Sequence, residues 1–442
     1  MNKNVNPEAV YDARSLGTPK MLVLGLQHMF AMFGATVLVP TLTGLSVSAT
    51  LLFAGLGTLL FHLLTKKKVP AFLGSSFAFL GGYFAIAPGG DPTLLPYACL
   101  GVAIAGLMYG ILSAAFKAFG VRKVMRFFPP IVTGPIIICV GLHLAPTAIN
   151  SCMDNWGIAL VAVFVVIICN IWGKGMIKII PILLGVAASY LVAALTGNVD
   201  FSAVKTAAWV GLPFQFKDTV FGLFASGNVD WSLVATAVIT ILPISLATMV
   251  EHIGDICAIS STCGENFMED PGFHRTLLGD GLATTLAALF GAPANTTYGE
   301  NTGVLNLTKV FDPRVIRIAA CFAILFSFCP KFSALIGAMP SATIGGVSLI
   351  LYGMIAAVGV RNVVENQVDF TNTRNVIIAA LILCLTIGIE FSSAGTIALG
   401  RVSLSGLAVA SIVGIALNAI LPGKDYEFLQ EDKGSTSVNF QV

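Results

Sequence analysis

The sequence predicts an all-α polytopic membrane protein of fourteen transmembrane segments, built as an inverted repeat of seven plus seven, and three observations carry that prediction. Of 442 residues, 56% are apolar and only 10% charged, whereas a soluble domain carries about 25% charged residues. The charges gather in short joints between apolar stretches long enough to cross a hydrocarbon core of about 30 Å. The basic residues divide unevenly between alternate joints, as the orientation of membrane helices requires, and two short motifs recur half a chain apart. A formal net charge of +2 without a basic stripe excludes nucleic acid as a partner. The continuous apolar runs exclude disorder and coiled coil.

Residues 1–20, with Lys3, Glu8, Asp12, Arg14 and Lys20, are polar and lack the apolar stretch and cleavage site of a signal peptide. They read as a retained cytoplasmic tail. Apolar segments follow near 21–40, 49–64, 70–87, 96–116, 131–149, 157–172, 179–196, 232–258, 276–291, 300–310, 316–336, 341–358, 375–391 and 402–421, two of them short or interrupted. With the N-terminus inside, 20 of the 24 Lys and Arg residues fall on the cytoplasmic side and only Lys205, Lys217, Lys331 and Arg401 outside. Shifting the count by one segment scrambles that split, so both termini are expected in the cytoplasm. The tail at 422–442 reads as solvated.

The 197–231 joint, with Asp200, Asp218 and Asp230, is the longest external connection and separates the two halves. An odd number of spans per half inserts the second half upside down. Gln27-His28 recurs as Glu251-His252, 224 residues on, and Pro70-Ala71 as Pro293-Ala294, 223 residues on. Pro130 through Gly134 and Pro340 through Gly345 form a looser third pair. Nine cysteines, mostly single within apolar runs, and five dispersed histidines offer no metal-ligand spacing. The sequence therefore predicts reduced thiols, no metal and no cofactor.

The two Pro-Ala stretches lead into Gly74-Ser75-Ser76-Phe77-Ala78-Phe79 and Asn295-Thr296-Thr297-Tyr298-Gly299-Glu300-Asn301. Proline removes a backbone donor, and Ser, Thr and Asn compete for backbone hydrogen bonds, so both stretches read as short strands interrupting segments 3 and 10. Unwound backbone at membrane depth must be covered by protein or line a cavity. Matching breaks in the two halves point to a midplane substrate site; polar kinks that fill helix crossings are the plainer alternative.

Acidic residues inside apolar segments are costly and mark function. The candidates are Glu251, Asp255, Asp280, Glu300 and Glu390. Glu251 and Asp255 are four residues apart, hence on one helix face, and Glu300 follows the second break. Three carboxylates converging in a low-dielectric site cannot all ionise cheaply, which suits the group to exchange protons near neutral pH. Asp280, near Arg275, reads as a dipole or capping partner at a cytoplasmic helix start, and Glu390 as solvated at an external helix end. Gln27 and His28 occupy the counterpart of the Glu251 segment, where hydrogen bonding behind the site is expected of them rather than direct contact. Lys66, Lys67 and Lys68 form a solvated joint.

Carboxylates accept N–H groups, free backbone N–H groups donate to carbonyls, and Phe77 and Tyr298 offer aromatic surfaces. That inventory suits a small, uncharged, planar solute with amide N–H and C=O groups. No Arg or Lys lies in the breaks, so anions such as sulfate are poorly served.

Four stretches taken together, Gln27 through Thr36, Pro70 through Phe79, Glu251 through Gly254 and Asn295 through Asn301, closely resemble the bacterial uracil permeases of the nucleobase–ascorbate transporter family, a likeness that spans about 20–421. The resemblance implies a core domain (21–116 and 232–336, segments 1–4 and 8–11) and a gate domain (117–196 and 337–421, segments 5–7 and 12–14). It implies a homodimer in the bacterial cytoplasmic membrane and symport of uracil with protons. It also implies that Glu251 and Glu300 accept the ring N–H groups, that the backbone amides of Phe77 and Gly299 donate to the carbonyls, and that Tyr298 packs in the same pocket. Ser76 and Asn301, beside these residues, join Gln27 and His28 behind the site. Glu300 favours the pyrimidine branch, because similar purine carriers have glutamine there.

One departure bears on the proton. The best-known uracil permease pattern has histidine four residues after the first glutamate, where this chain has Asp255, so Asp255 is expected to share or relay the coupled proton. A sister carrier for xanthine or uric acid is the nearest rival. An intramembrane aspartyl protease lacks its G-x-G-D signature, since Leu277-Leu278-Gly279-Asp280 stands in its place, and a channel lacks a continuous polar lining.

Overall fold

The computed structural model describes residues 9–423 except 121, 122, 125, 394, 400 and 401, so residues 1–8 of the expected N-terminal tail and 424–442 of the C-terminal one lie outside the described residues. Helices α1 (Thr18–Thr43) and α2 (Val47–Leu64) have local causes at their ends. Pro19 sits in the first turn of α1, Gly44 closes it in the left-handed conformation, and the Ser46 hydroxyl caps α2 by accepting the Ala49 N–H at 3.2 Å. The third segment breaks as the sequence predicts, into strand β1 (Leu73–Ser75) and helix α3 (Leu80–Ile86). Helices α4 (Leu95–Phe119), α5 (Pro130–Leu142), α6 (Ala145–Met153), α7 (Trp156–Ile171) and α8 (Pro181–Leu195) complete the first half.

The second half repeats that order. Asp230 caps α9 (Trp231–Ile241), which continues past Pro243 as α10 (Ile244–Cys263); α11 (Phe273–Leu289) follows. The tenth segment again breaks into strand β2 (Asn295–Thr297) and helix α12 (Gly299–Thr308). Then come α13 (Pro313–Ser327), α14 (Pro330–Gly337), α15 (Ser341–Glu365) and α16 (Thr373–Glu390). A hairpin of β3 (Ile397–Leu399) and β4 (Val402–Leu404), which hydropathy does not reveal, precedes α17 (Gly406–Ile420).

Among the described residues, seven helical spans are long and apolar enough to cross a membrane, or eight if α13 and α14, bent by 86°, count as one. The other expected segments are helices α7, α8, α11 and α17, of 15 to 17 residues, and the two that contain a strand. Length alone therefore does not establish fourteen crossings.

The repeat is visible in the packing. Helix α4 packs on α11 as α13 packs on α2; α1 on α13 as α9 on α4; α7 on α8 as α16 on α17. Advancing each partner by seven segments converts the first contact of each pair into the second, which is what an inverted repeat demands. Three contacts convert into themselves and so lie on the pseudo-twofold axis: α2 on α11, α5 on α15, and β1 on β2. Small residues allow these close crossings. A Cβ on Gly359 would stand 2.7 Å from the Gly134 carbonyl oxygen where α15 meets α5.

The strands pair antiparallel with Leu73 opposite Thr297, Gly74 opposite Thr296 and Ser75 opposite Asn295. Every strand residue is buried, so the backbone groups the ladder leaves over must find other partners. The Ser76 N–H donates to Ala294 O at 2.9 Å and the Tyr298 N–H to Phe72 O at 2.9 Å. Thr58 Oγ1 accepts the Leu73 N–H at 2.9 Å, Thr284 Oγ1 donates to Asn295 O at 2.6 Å, and Asn295 Nδ2 donates to Phe53 O at 2.8 Å. Asn295, one of the polar residues that unwind the segments, thus also helps to hold the unwound form, together with Thr58 of α2 and Thr284 of α11.

Candidate functional site

Each strand hands over to a short helix, and the two handovers are the loci the sequence selects. The ring of Tyr298 lies against Gly74, where a Cβ would come within 2.5 Å of it, and its hydroxyl donates to Ser75 O at 2.7 Å. Ser75 Oγ in turn donates to Thr36 O on α1 at 2.8 Å. Tyr298, 5% exposed, braces the strand pair from the side.

The backbone N–H groups of Phe77 and Gly299 donate to nothing among the described residues. Both sit where a strand has ended and the next helix has not yet claimed them, which leaves two donors for a ligand. Phe77 is buried, with its ring edge-on to Tyr352 of α15 at 6.2 Å and 71°. Tyr352 escapes a reading of the sequence, because a tyrosine in an apolar helix carries no signal until its neighbour across the chain is known.

The carboxylates assemble beside these donors. Glu251 and Asp255 lie one turn apart on α10, Glu300 lies in the first turn of α12, and all three are half-buried. Helix α10 packs against α12, which brings the face of Glu251 and Asp255 near the helix of Glu300. Gly254, Gly299 and Gly303 have no atom within 4 Å of the place a Cβ would occupy. These exposed, side-chain-free positions, each within four residues of one of the acids, leave open space beside α10 and α12.

Behind this face lies a layer of buried polar contacts. Asn301 Nδ2 donates to His28 O at 3.0 Å and lies 3.2 Å from His28 Nδ1, joining α12 to α1. Gln27 Nε2 contacts the Met176 sulfur, and Ser76 Oγ is buried without a hydrogen-bond partner among the described residues.

Asp280 departs from the sequence reading. It is fully buried in the middle of α11, with Oδ2 3.4 Å from His252 Nδ1, and His252 Nδ1 is 2.9 Å from Thr297 Oγ1 of β2. Arg275 does not serve it: five residues apart on a helix the two point in different directions, and the guanidinium donates to Leu64 O at 3.2 Å. Asp280 of α11 and His252, the residue after Glu251 on α10, therefore meet against the second strand. The absence of a basic residue at i±3 or i±4 of Asp280 is the signal that could have placed it there. Glu390 is the last residue of α16 and half-buried, not solvated.

Comparison with known proteins identifies the family and the fold. The sequence profile of the permease family matches residues 19–417. The chain is 41% identical over 436 residues to the uracil permease of Bacillus caldolyticus, covering 96% of each chain. It is also 41% identical over 430 residues to the uracil permease of Bacillus subtilis (strain 168), covering 92% of this chain and 94% of that one. Among solved structures, the transmembrane domain of a cyanobacterium bicarbonate transporter, BicA, has a TM-score of 0.57 at 16% identity, covering 93% of this chain and 99% of that one. That last likeness concerns the fold.

Proposed function

Since the chain belongs to the permease family, a multi-pass group of membrane proteins, we propose that it carries uracil across the bacterial cytoplasmic membrane by alternating access, coupled to protons. The observation that supports this most directly is that α10, which bears Glu251, packs against α12, which bears Glu300, while the backbone N–H groups of Gly299, next to Glu300, and of Phe77, just past the paired strand, have no partner among the described residues. Uracil presents two ring N–H groups and two carbonyls. Two carboxylate acceptors and two amide donors meet that pattern one for one. Similarity to proteins named uracil permease supports the same substrate.

In this proposal the chain crosses the membrane fourteen times with both termini inside. Segments 1–4 and 8–11 form the core that holds the substrate, and segments 5–7 and 12–14 form the gate against which it moves. The pairing of Phe77 with Tyr352 joins the two groups of segments, and the inverted repeat supplies two near-equivalent packings. Gate helices form the contact between two copies of the chain. The function is transport, without a covalent step.

Asp255 shares the coupled proton with Glu251, one turn away on the same helix. Asp255→Asn is expected to leave uracil binding within about threefold, since the conservative swap removes no contact to the ring, but to remove the dependence of uptake on an imposed pH gradient. Uptake into liposomes checks this, and unchanged gradient dependence refutes it. The substrate itself is tested by competition against labelled uracil uptake with thymine, xanthine and hypoxanthine. Uracil alone competing well supports the proposal, and stronger competition by xanthine would transfer it to a purine carrier.

A further inference from the structure

The polar stretch before α1 does not behave as a tail. Val10 joins Val310 in a parallel bridge, its N–H donating to Lys309 O at 2.8 Å and its carbonyl accepting the Phe311 N–H at 2.8 Å. The next residue reaches elsewhere: Tyr11 OH donates to Cys263 O at 2.8 Å, while its ring packs on Phe311 at 5.5 Å. The Ala13 N–H then donates to Asp312 Oδ2 at 2.8 Å, and Ala13 is fully buried with Leu24, Val310 and Val315. Arg314 bridges Asp12 at 2.8 Å and Asp312 at 3.0 Å, and Arg14 forks onto Asp12.

The two points reached are specific. Cys263 is the last residue of α10, the helix of Glu251 and Asp255, and Lys309 is the C-cap of α12, the helix of Glu300. Gly254 on α10 and Gly299 and Gly303 on α12 each have open space beside them, so neither helix is packed all round. A helix of only ten residues has a short contact line with which to fix its tilt against α10. We infer that residues 10–14 form a strap that positions the Glu251 and Glu300 helices relative to each other, setting the spacing of the carboxylates that receive the substrate. The inference rests on the proposed roles of those two residues.

The strap is built to persist. Arg14 and its hydrogen bonds hold the Asp12 carboxyl well below the usual carboxylate range. A depressed group contributes stability that is lost only as pH falls through its folded value, so the strap stays closed across about pH 5 to 8.

The test uses the purified full chain and two variants. Val10→Pro removes the N–H that bonds Lys309 O, and Tyr11→Phe removes only the hydroxyl that bonds Cys263 O. Amide hydrogen exchange over 256–263 and 299–308 is expected to quicken by about three- to tenfold, the worth of one hydrogen bond, with 47–64 unchanged. The uracil Kd should rise by a similar factor at an unaltered melting temperature, and saturating uracil, which bridges the same helices, should restore wild-type exchange. Unchanged exchange, or a weaker Kd without faster exchange, overturns the strap. If wild-type protein binds no uracil yet the variants still exchange faster, the strap stands and the substrate assignment falls. Should Val10→Pro not fold, Tyr11→Phe decides alone, since it keeps the ring and every backbone bond.

Discussion

Glu300→Gln is expected to weaken uracil binding by about 10- to 100-fold with the fold intact. The swap keeps the side-chain shape and one acceptor oxygen but removes the charge. A hydrogen bond to a charged group is worth about 1.5–3 kcal/mol, and each 1.4 kcal/mol is about tenfold in affinity. Two features of the site argue for the upper half of that range. Glu300 is half-buried in the first turn of α12, where water competes poorly and the helix N-terminus favours a negative group. The amide also brings a second N–H group towards a substrate edge that already donates. Calorimetry on purified protein reads the change, with the melting temperature as control. Wild-type affinity in this variant would remove Glu300 from the site, and with it the pairing of two carboxylates against two ring N–H groups.

The largest effect on the structure itself is expected from Gly74→Ala. The added methyl would lie 2.5 Å from the Tyr298 ring and 2.7 Å from Thr36 Oγ1. Neither neighbour can step aside. The ring is held by the bond from its hydroxyl to Ser75 O, and Thr36 is fully buried in α1. Overpacking of this kind costs about 1–3 kcal/mol in an ordinary core, and here it falls on a three-residue ladder that satisfies buried backbone groups. A lowered melting temperature and loss of uracil binding are the expected results. Gly299→Ala is the matched control, since nothing lies within 4 Å of the new methyl. That variant should melt like the wild type and still bind uracil less well, because the methyl enters the open space beside Glu300. Equal stability of the two variants would mean that the strand pair is not held by the packing of Tyr298 on Gly74.

How much was legible in the chain depends on whether the cause is local. Pro70-Ala71 and Pro293-Ala294, each followed by Ser, Thr or Asn, disfavour helix wherever they occur, and the breaks fall at Leu73–Ser75 and Asn295–Thr297. The carboxylates Glu251, Asp255 and Glu300 are conspicuous because charge is scarce in apolar segments, and the structure packs α10, which bears the first two, against α12, which bears the third. Asp280 shows the limit. Its apparent partner Arg275 is near in sequence but turned away, whereas His252 and Thr297 are 28 and 17 residues distant along the chain and meet it only after folding. The hairpin at 397–404 and the strap at 10–14 have no hydropathic signature, since both are defined by the backbone they pair with.

By itself, then, the sequence determined a membrane chain of two inverted halves, with its unwound points and its few embedded acids. These follow from hydrophobicity, charge and backbone propensity, which act over a few residues. Only the tertiary structure decided that the two unwound points pair with each other in a defined register, that Tyr298 lies on Gly74, that Asp280 backs the second strand, and that the polar N-terminal stretch ties together the helices bearing Glu251 and Glu300. Such contacts join residues from 17 to about 300 positions apart. Their energies arise from burial and hydrogen bonding that no local segment can supply before the chain has folded.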